Sequence, residues 1–277
     1  IVNCDETWCK VRKYYHYKKC YIWVLVNKAE RVVIFFYDNG SRGRDVLTDF
    51  IGDAELKSVM SDGYNAYTFI GNELKAAETP NLSKTDHQVC LAHARAKFVK
   101  ASEQAGDKNA DIFIKYIEDL YNLERQYTKD NLTDEERGKQ RQGLETKGIL
   151  INLRTHLSIE KSKDPATVTP YLQKALNYLD TFWANIFTYI KDGSYPIDNN
   201  AAERAVRPLT IQRNNMLHFG SDEGAKMAAT YHSIISTVKL QGRSVWDYLG
   251  KFFVNIFNGC RDFFSLRPGN IGLATCQ

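Results

Sequence analysis

Three carboxylates fall where a sheet-based fold could bring them to one site. Asp5 lies inside the strand-like stretch IVNCDETW, Asp62 ends a short strand candidate in LKSVMSDGYNAY, and Glu203 lies in a predicted helix. A carboxylate within a strand needs solvent, a partner or a cation, and open sheets bind ligands at the carboxyl ends of strands. Such oxygens suit Mg²⁺ or Mn²⁺, and two ions can catalyse phosphodiester chemistry. Each carboxylate alone is more simply a solvated or salt-bridged group.

The stretch YPIDNNAAERAVRP, residues 195–208, combines acids, amides and arginines within about three helical turns. Asp198 is a good helix N-cap and also a rival to Glu203 as a metal ligand. Five residues separate the two, so they share a helical face poorly. Asn199 and Asn200 either hold a carboxylate or phosphate, or form the N-terminal turn.

Three arginines follow Glu203: Arg204, Arg207 and Arg213. One interpretation is an ion pair between Glu203 and Arg207 at a spacing of four residues, which stabilises a helix only slightly. The other is contact with DNA phosphates, to which Arg binds through two parallel hydrogen bonds.

Cys90 and His93 form a C-x-x-H pair at the end of the strand candidate DHQVCLAH, residues 86–93. They could act near a metal site, or they could be a buried thiol and a hydrogen-bonded imidazole. Two ligands alone do not make a structural zinc site. The six cysteines contain no C-x-x-C pair, which favours a reduced, cytoplasmic protein.

Elements that could position these residues alternate over the first hundred residues. The stretches YIWVLVN (21–27) and RVVIFFYD (31–38) predict strands joined by a hairpin connection. A helix should end near Gly52, a strand near Asp62, and a further helix should follow the turn at Gly63. This order predicts an α/β fold, a mixed sheet with helices on its faces.

Residues 94–192 have a helical pattern and predict an all-helical insertion. DIFIKYIEDLYNLERQY places Ile112, Ile114, Ile117, Leu120, Tyr121 and Leu123 on a helical period. Thr133 and Glu136 form a T-x-x-E capping box. The next helix should begin near Pro170 and bury Leu172, Ala175, Leu176, Leu179, Phe182 and Ile186.

The chain after Gly193 predicts a return to the sheet-based core. A helix should run through AAERAV and stop near Pro208, and the stretch QRNNMLHFGSDEG should form a loop or hairpin before two final helices. The predicted organisation is core 1–93, helical insertion 94–192 and core 193–277.

Composition limits the classes of function only broadly. The 277 residues are 43% hydrophobic with a net charge of +4, which suits a folded chain and permits nucleic acid as a partner. No apolar run approaches the ~20 residues of a membrane span. The chain opens with IVNCDETW and lacks an initiator Met, so we expect that an N-terminal part precedes it.

Five strings in order, CDETW, SDGYNAY, CLAHARAKF, YPIDNNAAERAVRP and HFGSDEG, resemble the catalytic region of the insertion-sequence sixty-six family of bacterial transposases. The resemblance covers nearly the whole chain and implies a ribonuclease H-like fold with a helical insertion before the Glu-bearing helix. It implies that Asp5, Asp62 and Glu203 are a DDE triad. Asp5 would bridge two Mg²⁺ or Mn²⁺ ions, while Asp62 and Glu203 would each hold one.

The resemblance further implies cleavage at transposon ends and strand transfer into target DNA by a homodimer or larger synaptic assembly acting at the nucleoid. Four positions depart from the family pattern: Leu91, Ala96, Asn214 and Glu223. Three of these changes remove positive charge or replace it with negative charge. Two alternatives stay open, a ribonuclease H-like nuclease without strand transfer and a catalytically dead DNA-binding or assembly protein.

Overall fold

A computed structural model describes residues 1–72 and 79–272. The fold is mixed α/β and mostly helical. Its internal contacts divide the described chain into two compact units. Unit 1 comprises residues 1–56, 79–81 and 200–272, and unit 2 comprises residues 57–72 and 82–199.

Unit 1 is built on an antiparallel meander of three strands. Its strands and main helices are β1 (Val2–Arg12), β2 (Tyr17–Asn27), β3 (Val32–Phe36), α1 (Arg44–Ile51), α9 (Asn200–Met216), α10 (Asp222–Leu240) and α11 (Val245–Phe257). The predicted strands and the helix ending at Gly52 are confirmed, with β1 and β2 longer than predicted. Gly52 has φ 54° and closes α1 through its N–H, a conformation that costs a glycine little.

The third strand has its outer edge covered by a helix of the same unit. Thr237 and Ser233 of α10 exchange hydrogen bonds with the backbone of β3. The Thr237 hydroxyl lies 3.0 Å from Val33 N and 2.9 Å from Val33 O, and Ser233 Oγ lies 2.7 Å from Phe35 N. These side chains satisfy edge groups that would otherwise be open to pairing with another chain.

The helix α9 lies on the meander through an apolar layer. Ala202, Val206 and Leu209 pack with the buried side chains of β1 and β2, among them Cys9, Val11, Cys20, Ile22 and Val24. The prediction that this helix stops near Pro208 is wrong, because α9 continues to Met216 with Pro208 inside it. Proline removes one backbone N–H, and burial of Val206 and Leu209 on either side stabilises the helix across that break.

Two smaller predictions for unit 1 are also corrected. The stretch QRNNMLHFGSDEG is predicted to be a loop or hairpin, but its first five residues, 212–216, continue α9. The helix ends before Leu217, which has φ 59°. Phe219 then pairs with β1, since its N–H donates to Lys10 O and its carbonyl accepts from Arg12 N, both at 2.8 Å. The two final predicted helices are confirmed as α10 and α11.

Unit 2 contains a parallel strand pair and most of the helices. Its elements are β4 (Ser58–Ser61), a 3₁₀ turn (Asn65–Tyr67), β5 (Asp86–Val89), α3 (Leu91–Ala105), α4 (Lys108–Lys129), α5 (Asp134–Arg141), α6 (Leu144–Ser162), α7 (Pro170–Thr181) and α8 (Trp183–Ile186). A short helix α2 (Pro80–Ser83) begins in the unit 1 segment 79–81 and ends in unit 2. The helix predicted after Gly63 is only the 3₁₀ turn, and the strand predicted over 86–93 ends at Val89.

The helices of unit 2 mostly follow their sequence signals. Thr133 and Glu136 form the predicted capping box, and α7 begins at Pro170 and buries Leu172, Ala175, Leu176 and Leu179. The predicted buried face of α4 is wrong at its start, where Phe113 rather than Ile112 is buried. Phe113 is fully buried, while Ile112 is 38% exposed. The apolar periodicity predicted the helix but did not identify which of two neighbouring apolar residues is buried. Among the described residues, no helix is long and apolar enough to cross a membrane.

Candidate functional site

Asp5 and Glu203 lie on two elements of unit 1 that pack against each other. Asp5 stands opposite Val24 in the β1–β2 register and shares its strand face with Cys9 and Val11, because side chains alternate along a strand. That face packs on α9, whose first turn contains Glu203. Both carboxylates are half-buried, so solvent reaches each of them.

The neighbouring acid Glu6 has a different environment. Its side chain points to the opposite face of β1, is 1% exposed and forms an ion pair with Arg42, whose Nε lies 2.8 Å from Glu6 Oε1. A buried carboxylate held by a guanidinium is a structural pair. Of the two adjacent acids, Asp5 is therefore the one on the face that meets α9.

The three candidate DNA-binding arginines separate into two groups. Arg204 and Arg207 are exposed, and within the described part of the chain neither forms an ion pair, so the pairing of Arg207 with Glu203 is not observed. Arg213 instead contacts β1, donating to Trp8 O at 2.9 Å and Thr7 Oγ1 at 3.1 Å. Its guanidinium lies 4.0 Å from the centre of the Trp8 ring.

Asp62 lies in unit 2, directly after β4, in a turn held by hydrogen bonds. Its Oδ1 accepts from Tyr64 N at 2.8 Å and its backbone carbonyl accepts from the Tyr178 hydroxyl at 2.7 Å. Gly63 has φ 82°, and a Cβ there would meet Tyr178 and Phe182 at 3.2 Å, so a larger residue would be strained. In the described residues Oδ2 of Asp62 has no hydrogen bond.

The strand beneath this turn is also fixed by polar contacts. Ser61 Oγ lies 2.9 Å from Nε2 of His87, which is on β5. His87 is buried, and its burial lowers its pKa to about 4, so the imidazole is neutral at pH 7.

Cys90 follows β5 as Asp62 follows β4, and the two strands are parallel with Ser61 opposite Val89. The Cys90 N–H donates to Ser61 O at 2.9 Å. Its thiol is fully buried and accepts from Asn199 N at 3.1 Å, while Leu91 N donates to Ile197 O at 3.3 Å. The start of α3 therefore holds residues 197–199, which lead into the DNN motif of residues 198–200, beside the carboxyl ends of these strands.

His93 and Asp198 are both half-buried and complete the predicted residues of unit 2. Cys90 Sγ and a ring nitrogen of His93 lie within 4.8 Å of each other, with Cys90 at the N-cap of α3 and His93 in α3 rather than on a strand. The first helical residue of α9 is Asn200, so Asn199, not Asp198, occupies the position immediately before the helix.

Several supporting residues have no signal in the sequence. Burial, and then the charges of Cys90 and Asp62, raise the pKa of Tyr178, while burial and then the charge of Asp198 raise the pKa of Tyr121. Both tyrosines therefore lie near the predicted acids of unit 2 and stay protonated. Their positions on α7 and α4 fit an ordinary helical pattern, and only the tertiary structure identifies their neighbours.

Arg141 is the other residue that the sequence does not identify. It is 2% exposed and binds both carboxylate oxygens of Glu124, at 2.7 and 2.8 Å. Its Nη1 also donates to three backbone carbonyls, those of Tyr189, Asp192 and Tyr195. One guanidinium therefore fixes the segment that leads into the DNN motif.

A sequence profile of the transposase IS66 family matches residues 1–227. Three relatives from Sinorhizobium fredii, each titled an uncharacterized protein, are similar over most of the chain. Protein y4jD is 26% identical over 198 residues, 72% of this chain and 37% of its own. Protein y4qI is 28% identical over 230 residues, 82% of this chain and 41% of its own.

Protein y4hP is 27% identical over 227 residues, 76% of this chain and 38% of its own. The chain thus spans about two fifths of the length of these relatives. The profile match covers well over half of the chain and includes all three candidate carboxylates. The chain belongs to the IS66 family of transposases.

Proposed function

We propose that the chain carries the catalytic site of a DDE-type DNA transposase, in which Asp5, Asp62 and Glu203 are the metal-binding carboxylates. The observation that carries the proposal is the position of Asp5 and Glu203. Both are half-buried acids on β1 and α9, two elements that pack against each other, and keeping two acids beside an apolar layer costs desolvation free energy. Bound divalent cations would offset part of that cost.

The donor atoms fit Mg²⁺ or Mn²⁺. All three residues offer carboxylate oxygens, which hard divalent ions prefer, and Oδ2 of Asp62 has no other hydrogen bond within the described residues. When bound, two ions would supply an activated water or 3′-hydroxyl and charge neutralisation at the leaving oxygen. Asp5 on a strand and Glu203 on a helix would hold their oxygens on rigid elements, and Asp62 would do so from its hydrogen-bonded turn.

DNA is the proposed substrate, at transposon ends and in the target. The exposed Arg204 lines a cavity of about 300 Å³ in unit 1 together with Lys28, Lys239 and the apolar side chains of β2, β3 and α9. The cavity is lined by three cations and no acid, and together with exposed Arg207 it suits a phosphate backbone. Cutting and joining two ends requires a homodimer or larger synaptic assembly, which is part of the proposal.

The proposal includes a ribonuclease H-like core with a helical insertion. Two observations support it. Unit 1 has an antiparallel meander and unit 2 a parallel pair, so both pairing types of a mixed sheet are present. Every α-helix from α3 to α8 falls between residues 91 and 186, between the second Asp and the Glu.

The test is a cleavage and joining assay with Asp5→Asn and Glu203→Gln variants on an end-labelled transposon-end duplex in Mg²⁺ or Mn²⁺. Each variant should reduce cleavage at least about 100-fold, because a metal-binding carboxylate is lost while the shape of the side chain is kept. Matched controls are Asp49→Asn and Glu55→Gln, which alter exposed acids of unit 1 and should leave the rate unchanged.

A pre-cut end in the same assay separates the possible outcomes. Joining of the 3′-hydroxyl to target DNA supports the transposase. Cleavage without joining would replace it with a nuclease, and DNA binding that is indifferent to divalent cations and gives no product would replace it with a DNA-binding or assembly protein.

A further inference from the structure

The hairpin that joins β1 to β2 concentrates cations and aromatic rings without any acid. Residues 7–22, TWCKVRKYYHYKKCYI, contain five Lys or Arg, one His and five Trp or Tyr, and no Asp or Glu. The predicted DDE chemistry uses none of these residues. A stretch of this composition differs from an ordinary solvated face, which mixes both signs of charge.

One face of the hairpin is a continuous basic and aromatic surface. The register pairs Trp8 with Tyr21, Lys10 with Lys19 and Arg12 with Tyr17, and all of these side chains are exposed or half-buried. Like charges directly opposite each other, such as Lys10 and Lys19, destabilise a strand pair. Within the described residues neither lysine has an ion pair, so an external anion would relieve this repulsion.

The tip presents two aromatic rings to solvent. Tyr14 is 95% exposed and Tyr15 is 98% exposed, with their ring centres 6.3 Å apart. Exposed tyrosine rings next to cations are the elements with which proteins stack and retain the bases of single strands. Neither ring contributes to a core, so the fold does not account for them.

The base of the hairpin is held in place while its tip is open. Phe219 pairs with Lys10 and Arg12 through two backbone hydrogen bonds of 2.8 Å. Lys13 forms an ion pair with Asp222, and the Tyr17 ring lies 4.6 Å from the ring of His218. Three contacts from the segment after α9 therefore preorganise the projecting loop, which reduces the entropy lost when it binds.

We infer that this hairpin is a DNA-binding element that takes a strand with unpaired bases, such as the tail or frayed end of a duplex. Lys10, Lys19 and Arg12 contact the phosphates, and Tyr14 and Tyr15 stack on bases. The inference deepens the proposed function and rests on DNA being its substrate. It adds a binding surface separate from the three carboxylates.

The test measures binding by fluorescence anisotropy in EDTA, with a blunt duplex and with the same duplex carrying a single-stranded tail of eight thymidines. The unaltered chain should bind the tailed duplex at least about tenfold more tightly, and Tyr14→Ala/Tyr15→Ala should lose that preference. Tyr14→Phe/Tyr15→Phe should retain it, because phenylalanine still stacks. The matched control is Tyr231→Ala, which removes another exposed tyrosine, 57% exposed, on α10.

A second pair of variants tests the cations. Lys10→Ala/Lys19→Ala should weaken binding of both the blunt and the tailed DNA, and should reduce the magnitude of the slope of log affinity against log salt concentration by about two. The control Lys147→Ala, on α6, should leave both quantities unchanged. Equal binding of tailed and blunt DNA, or an undiminished preference in the Tyr-to-Ala variant, would overturn the inference.

Measurements on the unaltered chain distinguish the two proposals, because the tail preference is measured in EDTA and cleavage in Mg²⁺ or Mn²⁺. A tail preference with no cleavage supports the hairpin and counts against the DDE site. Cleavage with no tail preference supports the DDE site and counts against the hairpin.

Discussion

The candidate carboxylates of the two units are held in different ways. In unit 1, Asp5 and Glu203 stand on a strand and a helix that are fixed by apolar packing around Val206, Leu209 and their partners in the meander. In unit 2, Asp62 stands in a turn whose position depends on hydrogen bonds from Tyr64, Tyr178 and the Ser61–His87 pair.

This difference has a physical consequence. Apolar packing is insensitive to pH and to the loss of any one polar atom, whereas a buried polar network is stable only while every member keeps its partner. Substitutions that remove a single polar group should therefore disturb the Asp62 turn more than the packed elements that carry Asp5 and Glu203.

Arg141→Met should cause the largest loss of stability. It removes the guanidinium from Glu124 and from three backbone carbonyls. Among the described residues, the buried carboxylate then keeps only the more distant Arg137, at 3.5 Å. Breaking a buried pair on one side costs about 3–5 kcal/mol. Urea unfolding followed by circular dichroism should show that decrease in the free energy of unfolding.

The matched control for this prediction is Arg125→Met, which breaks an exposed pair with Glu118 and should cost less than about 1 kcal/mol. If both variants lose the same free energy, the segment before the DNN motif does not depend on Arg141.

Acid should weaken unit 2 through His87. Burial lowers the pKa of His87 to about 4 from its usual 6.5, so the unfolded chain binds more protons between those values. The contribution of neutral His87 to the free energy of unfolding is therefore fully present above about pH 6.5. It is lost as the pH falls towards 4, by about 3 kcal/mol in total.

The measurement is the free energy of unfolding at pH 7.5, 6, 5 and 4 for the unaltered chain and for His87→Gln. The glutamine variant should have a shallower slope over this range. The residual slope includes His232 in unit 1, whose pKa burial also lowers. An unchanged slope in His87→Gln would assign the acid sensitivity to other groups.

The sequence predicted elements better than it predicted their ends and neighbours. Strand propensity located β1 to β5, and the capping box at Thr133 located α5, because these signals are local. The predicted end of α9 near Pro208 was wrong because burial of Val206 and Leu209 offsets the cost of Pro208. That burial is a tertiary effect. The same holds for α4, where only the packed structure selects Phe113 over Ile112.

The candidate site divides in the same way. The acids could be selected from strand ends and from the family resemblance, which depend on residue type and order. Tyr178, His87 and Arg141 could not be selected from the sequence. Each lies on an ordinary helix or strand and acquires its role from a neighbour distant in sequence. Cys90 was identified, but its contact with the Asn199 N–H required the fold.

Tyr178→Phe should have the smallest effect on stability and the most local one on activity. It removes one hydrogen bond, of 2.7 Å, to the carbonyl of Asp62, which is worth about 1 kcal/mol. Because Phe182 still lies against Gly63, the fold should persist, while the Asp62 carboxylate becomes less well positioned. Metal-dependent cleavage should fall by about three- to tenfold, with Tyr171→Phe on the same helix as control. An unchanged rate would mean that the Tyr64 N–H and Gly63 suffice to fix the turn, and that hydrogen bonds matter less in unit 2 than the comparison requires.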